Sequence, residues 1–487
     1  MNGNREFEAG APSKGPVGLS SPCRTGGSPE SIGNRYSEQP MLVVGLGLSG
    51  TSALRYLVRA GAKVTVTDSR AAPTGIEALR TEYPGVTFHL GAFSAPVPLS
   101  QFKEAVVSPG VDLREPFVQQ LRDAGVAIIG DIELFARAVE APHASRLTPH
   151  VVAITGSNGK STVTTLVGEM ARAAGRRVAV GGNLGTPALD LLADGIDLYV
   201  LELSSFQLET TDRLVCDAAA YLNLSEDHLD RHGTMAHYAA AKARIFRNAR
   251  TAVVNRDDAA VMAAAAGLPD DVRVISFGLD TPADNAYGIL GSGADAWLCR
   301  GDSRLMPHGS LRIAGLHNAA NALAALALAD AVGLPEDACR QALQAFTGLP
   351  HRCRLVRELQ GVRYINDSKG TNVGSTLAAI NGLPAPIHWL GGGQGKGQDF
   401  TPLGPALRER DGHAYLFGED AACIEAAVQA QAPVTRVGTL EAAVAAAHAR
   451  ATPGATVLLS PACASLDQFR NYIERGERFE QLVEALA

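Results

Sequence analysis

VVAITGSNGKST, residues 151–162, is a short apolar strand that runs straight into a glycine turn carrying Lys160 and Ser161. Beyond the turn, Val163, Leu166, Val167 and Met170 recur at helical spacing and form one apolar face. Strand, glycine turn and helix in that order are the setting in which backbone N–H groups cradle phosphate, with a lysine reaching the same group and a hydroxyl serving Mg²⁺. The longer GxxxxGK(S/T) spacing is not met, because Ile154 stands where its first glycine would be. A Gly-Lys-Ser triplet at a strand-to-helix turn has little packing value. The spacing therefore predicts a phosphate site over Gly156, Ser157, Asn158, Gly159, Lys160 and Ser161.

Working outward toward the N-terminus, the same grammar recurs. Met41–Val44 is apolar, Gly45-Leu46-Gly47-Leu48-Ser49-Gly50 is a glycine turn, and Thr51–Ala60 reads as helix. Lys63–Thr67 is the next strand and ends at Asp68, an acid roughly 20 residues past the glycines, as in a Rossmann opening. This turn alone is compatible with an NAD-dependent oxidoreductase. The block runs to Val126–Gly130, and Ala141–His150 reads as a linker.

Toward the C-terminus, the strand Leu198–Leu201 delivers Glu202 to a sheet edge, and the strand Ala219–Leu222 delivers Asn223 to His228. Acids and imidazoles at the C-terminal edge of a parallel sheet can meet a metal. A helix is expected over Thr234–Ala249, with Lys242 turned inward beside Tyr238, Ile245 and Phe246. A lysine so placed ordinarily snorkels its head to water. Residues 272–313 alternate like antiparallel β, and Asn318–Val332 is a long alanine-rich helix. A third block starts near Leu349, with the strands Val362–Asn366 and Ile387–Leu390 and a helix from Asn372. Three of its strands end in polar or glycine-rich turns, at 366–372, 391–396 and 460–465, which suggests one ligand-facing rim.

Composition narrows the class. The 487 residues are 46% apolar and 19% charged, as in globular chains, and too many for one ordinary core. A net charge of −7 argues against wrapping nucleic acid. Seven scattered cysteines, none in a CxxC pair, suggest buried thiols rather than a disulfide framework or zinc site. No apolar run is long enough to enter a membrane. The Gly/Ser/Pro-rich residues 1–40 are expected to be a disordered leader.

Together TGSNGKST (155–162), ELSSFQLE (202–209), LNLSEDHLDRH (222–232), HNAANALAA (317–325), GLPHR (348–352), NDSKGTNVGST (366–376) and LLSPACASLDQF (458–469) resemble the Mur ligases over residues 41–487. The DNPR tetrapeptide of a sister activity is absent. The resemblance implies an α/β chain of three domains. These are a Rossmann-like UDP-binding domain (41–143), a central P-loop-type ATPase domain (144–348) and a Rossmann-like C-terminal domain (349–487). It implies a cytoplasmic, monomeric, ATP-dependent ligase that joins D-glutamate to UDP-N-acetylmuramoyl-L-alanine through an acyl phosphate. Another amide ligase of the family is the alternative.

Carried over by position, the resemblance assigns the UDP moiety to Leu48, Ser49, Asp68 and Ser69, with Asn183 near the nucleotide sugar. ATP falls to Gly156 through Thr162, Asn318, Asn321, Arg352 and Asp367. Ser161 and Glu202 would hold one Mg²⁺, and His228 with Lys242 a second. Lys242 would then be a carbamate formed with CO₂. Lys369, Thr371, Lys396, Ser465 and Leu466 would surround D-glutamate, with Tyr472 where the family pattern has Phe. Lys160, Lys242, His228, Glu202 and Lys369 would carry the chemistry.

Overall fold

Apolar strands buried on both faces pair in parallel and are joined through covering helices. The chain does this three times. The computed structural model describes residues 35–140, 149–313 and 315–487. Its first sheet holds β1 (Pro40–Val44), β2 (Lys63–Asp68), β3 (Thr87–Leu90), β4 (Glu104–Val107) and β5 (Ala127–Ile129), all parallel, in the order β3-β2-β1-β4-β5.

The second sheet is the largest. It contains β6 (His150–Thr155), β7 (Val178–Gly182), β8 (Leu198–Glu202), β9 (Ala218–Tyr221), β10 (Thr251–Asn255), β11 (Arg273–Phe277), β12 (Tyr287–Leu290), β13 (Trp297–Arg300) and β14 (Ser303–Pro307). Their order is β14-β13-β12-β11-β10-β9-β6-β8-β7. The third sheet, ordered β15-β16-β20-β17-β18-β19, comprises β15 (Arg354–Leu359), β16 (Val362–Asn366), β17 (Ile387–Gly392), β18 (His413–Phe417), β19 (Val434–Gly438) and β20 (Thr456–Leu459). Only β15 runs antiparallel there.

The central strand β6 lies between β8 and β9, so the chain leaves its neighbourhood in opposite directions. The crevice at its C-terminal end is where open α/β sheets take ligand. Helix Lys160–Ala173 begins at that crevice and is held there by its apolar face. Val163, Leu166, Val167 and Met170 are fully buried, each contributing about 1.5–3 kcal/mol by area.

Three expectations need correction. In 272–313, β11 and β12 continue the parallel sheet, and only β12–β14 form an antiparallel meander. The alternation was real, but helix Ala259–Ala265 supplies a crossover that makes the first pairing parallel. The helix expected over Thr234–Ala249 is α-helical for Met235–Ala243 and then tightens to a 3₁₀ turn, Arg244–Phe246, before β10. Residues 35–40 are not a disordered leader. Tyr36 is 4% exposed, packs its ring edge to face with Tyr56 at 6.3 Å, and donates its N–H to Ala60 O. One aromatic with a seat on the first helix outweighs the polar composition around it. The rest of the expected leader and most of the linker, residues 141–148, lie outside the described residues.

Candidate active site

The loop after β6 needs its glycines for two reasons. Gly159 has φ +81°, and a Cβ there would sit 2.3 Å from Asn321 Oδ1. Gly156 has φ +157°, with Leu222 and Asn223 closing on it from β9. The loop thus lies flat between β9 and helix Leu316–Ala331, and the N–H groups at the start of helix Lys160–Ala173 face the crevice.

Polar side chains converge on this loop from all sides. Ser161 Oγ donates to Glu202 Oε2 at 2.6 Å and receives Arg352 Nη2 at 2.8 Å. Asn183 Nδ2 donates to the other Glu202 oxygen at 3.1 Å. Burial pushes the Glu202 carboxyl up, but Lys160, the Ser161 hydroxyl, Arg352 and Asn183 outweigh it, so Glu202 stays ionised. Lys160 Nζ folds back onto Gly156 O (2.8 Å) and Ser157 O (3.0 Å). Lys242 is 2% exposed and donates to the same Gly156 carbonyl at 2.7 Å, with its ammonium 4.6 Å from the Tyr238 ring centre. Burial first, and the charge of Lys160 second, drive its pKa well down. The snorkelling arrangement is excluded, because the head points into the loop.

His228 sits in the left-handed region (φ +56°) beside Phe206, at a ring separation of 5.0 Å. Burial and three nearby lysines lower its pKa despite Asp227, so it is neutral near pH 7 and able to ligate. Among the described residues no three His, Cys, Asp or Glu side chains gather as a metal cage. A hydroxyl and single acids suit Mg²⁺, which keeps waters and phosphate oxygens and needs few protein ligands.

A cavity of about 330 Å³ opens beside the loop between the central and third domains. Asn158, Gly159 and Thr162 line one wall, Asn318 and Asn321 the next, and Arg352, Asp367 and Lys369 the opposite one. Asn321 Nδ2 donates to Asn318 Oδ1 at 3.2 Å, so the two expected base-side amides form one unit. Leu222, Phe277 and Leu279 add an apolar wall that motif reading missed, since they come from strand ends with no polar signature. Asp367 receives Ser460 Oγ at 2.6 Å and the Cys353 N–H at 3.2 Å, and burial raises its pKa to about 6.

In the third domain, Lys369 lies 4.1 Å from the Tyr472 ring centre, and burial with Arg352 and Lys160 lowers its pKa to about 8. Ser465 is buried and Leu466 is 65% exposed, with Thr371 between the two at intermediate burial. Lys396, expected beside D-glutamate, crosses to Asp227 Oδ1 at 3.2 Å. Asp227 also receives Asn372 Nδ2 at 3.3 Å, and Asn372 meets Asn158 of the glycine loop at 3.2 Å. Asp227 and Asn372, absent from the expected site, therefore knit the third domain to the central one. Both lie inside motifs already noted, directly beside His228 and Thr371.

The first domain's turn is built otherwise. Leu48 is 78% exposed, Ser49 half-buried and Ser69 exposed. Asp68 is buried and saturated. It accepts the Leu46 N–H (2.7 Å), the Arg70 N–H (2.9 Å) and two Arg70 guanidinium bonds (2.8 and 2.7 Å).

Three family models match the chain in order. They are the Mur ligase MurD-like N-terminal domain over 39–130, the Mur ligase middle domain over 154–329, and the Mur ligase glutamate ligase domain over 351–463. The chain belongs to the Mur ligase family. Among Mur ligases it is 53% identical to the UDP-N-acetylmuramoylalanine–D-glutamate ligase of Pseudomonas aeruginosa, over 93% of this chain and 99% of that one. The enzyme of the same name from Methylobacillus flagellatus is 50% identical over 92% and 97%. The fold matches the UDP-N-acetylmuramate-alanine ligase MurC of Thermotoga maritima at a TM-score of 0.57 and 18% identity, covering 92% of this chain and 100% of that one.

Proposed function

We propose that the convergence on Ser161 is the reaction centre of an ATP-dependent ligase that adds D-glutamate to UDP-N-acetylmuramoyl-L-alanine. The activity is that of relatives sharing half of this sequence over nearly its whole length, and it belongs to peptidoglycan precursor synthesis. The observation that carries the placement is Ser161 Oγ, met by Glu202 from the central domain and by Arg352 from the third. Two parts of the chain far apart in sequence meet at one hydroxyl beside a phosphate-binding loop.

The L-alanyl carboxylate attacks the γ-phosphorus, the bond to the bridging oxygen breaks, and ADP leaves an acyl phosphate. The amine of D-glutamate then attacks the carbonyl carbon, loses a proton, and phosphate departs as the amide forms. Two anions meet in the first step, so the protein's task is charge stabilisation and alignment. Lys160 would turn from the loop carbonyls to the phosphates, and Arg352 would bind the same chain from the third domain. Mg²⁺, when bound, offsets phosphate charge. Ser161 and Glu202 would hold one ion, and His228 and Lys242 a second. Lys242 suits that role only as an anion. Its depressed pKa makes the neutral amine easier to reach, and that form would add CO₂ and release a proton to give a carbamate.

Asp367, Asn318 and Asn321 would hold ribose and base in the cavity. Lys369, Thr371, Ser465, Leu466 and Tyr472 would receive D-glutamate. Lys396 spends one of its three ammonium donors on Asp227 and would turn the others to a substrate carboxylate. Leu48, Ser49, Ser69 and Asn183 would take the UDP-sugar, with Asp68 shaping the turn from beneath. The NAD-dependent reading is not supported, because Asp68 has no free oxygen to offer a ribose. The domain limits proposed are 41–143, 144–348 and 349–487, with residues 35–40 packed onto the first domain. Among the described residues no helix is long and apolar enough to cross a membrane. The six cysteines among the described residues are all free thiols, which fits a reducing compartment such as the cytoplasm.

The test is phosphate release from ATP, expected only when UDP-N-acetylmuramoyl-L-alanine and D-glutamate are both present. Equal turnover with L-glutamate would refute the assignment.

A further inference from the structure

Asp131 opens helix Asp131–Val139 at the end of the first domain, and the reaction described above makes no use of it. Its carboxyl is enclosed at the seam with the central domain. Oδ2 accepts Gln207 Nε2 at 3.1 Å, while Oδ1 has no hydrogen-bond partner of normal geometry among the described residues. The Ser49 hydroxyl, from the GLGLSG turn, faces the same carboxyl. Beyond it Gln207 closes a capping box. Its Oε1 receives the Ser204 N–H at 3.1 Å, and its own N–H donates to Ser204 Oγ at 3.2 Å. Ser204 stands two residues past Glu202. One line of polar contacts therefore runs from Ser49 through Asp131 and Gln207 to Ser204, and ends beside the Glu202–Ser161 pair.

The seam around this line is tight. Gly130 donates its N–H to Thr210 O at 3.2 Å, and a Cβ on Gly130 would lie 2.2 Å from Thr210 Oγ1. Three residues on, Glu133 Oε2 accepts the N–H groups of Asp212 (2.8 Å) and Arg213 (2.9 Å). These contacts suffice to dock the helix. A carboxyl with one unmet oxygen is a poor docking device, since an unpaired buried polar atom costs about 1–3 kcal/mol and offsets the gain from its single Gln207 bond. Burial also favours its neutral form, which can donate as well as accept.

We infer that Asp131 and Gln207 are positioning residues that couple occupancy of the Leu48–Ser49 turn to the placement of Glu202. The inference rests on the reading of that turn as the nucleotide-sugar site and of Glu202 as the Mg²⁺ acid. A ligand that fixes the Ser49 hydroxyl fixes its orientation toward Asp131. The Gln207 amide follows, and with it Ser204, two residues past the strand end that carries Glu202.

Calorimetry of UDP-N-acetylmuramoyl-L-alanine, with and without a non-hydrolysable ATP analogue and Mg²⁺, tests this. In the full chain the analogue should tighten nucleotide-sugar binding about tenfold, a typical coupling. Asp131→Leu should bind the analogue alone as well as the parent and lose most of the tightening. Asp131→Asn, which still accepts from Gln207 and can donate to Ser49, should keep it. Full tightening in Asp131→Leu, no tightening in the parent, or parallel loss of both affinities with Tm would overturn the inference. If Asp131→Leu does not fold, Gln207→Met breaks the same contact from the other side and must abolish the tightening. Failure of both to fold would make the line a stability element and overturn it as well. A parent that binds no nucleotide sugar would instead overturn the functional reading beneath it.

Discussion

The turns at 45–50 and 156–161 share one plan, strand to glycine turn to helix, yet they end as different devices. In the first, the helix start is stabilised from below. Asp68 is spent on Leu46 and Arg70, and the residues that remain for ligand are an exposed leucine and a half-buried serine. In the second, two lysines donate to one carbonyl, Gly156 O, and a buried acid and an arginine from another domain share one hydroxyl. Like charges crowded away from water are costly. Such crowding is tolerated where an anion is to arrive. Glycine spacing thus specifies a backbone shape, and side chains contributed from far away decide what the shape binds.

The comparison breaks most visibly at Lys242. Lys242→Ala should lose more than about 100-fold in turnover while keeping its Tm, a larger loss than for outer-shell partners of a metal site. Added small carboxylates should restore part of the rate. Lys242→Arg cannot form a carbamate and should stay inactive. Full activity in either variant would reduce the second turn to an ordinary phosphate loop.

Gly159→Ala forces a non-glycine residue into φ +81° and against Asn321, a strain of about 1–3 kcal/mol. The KM for ATP should rise about tenfold. The matched change in the first turn, Gly47→Ala, has φ −75° and meets only ordinary contact with Ser108 at 3.5 Å, and should cost less than about 1 kcal/mol by thermal denaturation. Equal costs would show that both turns are constrained alike.

The pH profile sharpens the electrostatic side. Asp367 loses its charge as pH falls through about 6, so kcat/KM for ATP should fall below that value. Lys369 loses its charge as pH rises through about 8, so kcat/KM for D-glutamate should fall above it. Each limb should tend to about tenfold per pH unit. The stability linkage has a defined sign. Between 3.8 and about 6 the folded chain holds the extra Asp367 proton, so this contribution to stability falls as pH rises. Between about 8 and 10.5 the unfolded chain holds the extra Lys369 proton, so this contribution rises with pH. The ligand-free chain should show both trends in its Tm.

The smallest effect belongs to Tyr472. The ring face that meets Lys369 survives Tyr472→Phe, so the KM for D-glutamate should change by less than about threefold. A larger change would mean the hydroxyl touches substrate.

Alternation of apolar strand, glycine turn and helix was enough to read three α/β blocks and the strand-to-helix glycine turn at 156–161. These features are local, and a few neighbouring residues suffice to express them. Lys242 showed its inward face through Tyr238, Ile245 and Phe246, yet nothing in its neighbourhood revealed that it would reach Gly156 O, 86 residues away. Asp68 was legible as the acid of a Rossmann opening, but spacing does not record that Arg70 and Leu46 hold its oxygens. The contact of Lys396 with Asp227 was equally hidden, because Asp227 lies 169 residues earlier. The buried line from Ser49 to Ser204 was likewise invisible until two domains were packed together. Periodicity and turn chemistry are properties of the chain. Which charges share a desolvated pocket depends on where distant strand ends meet, and only the tertiary structure sets that.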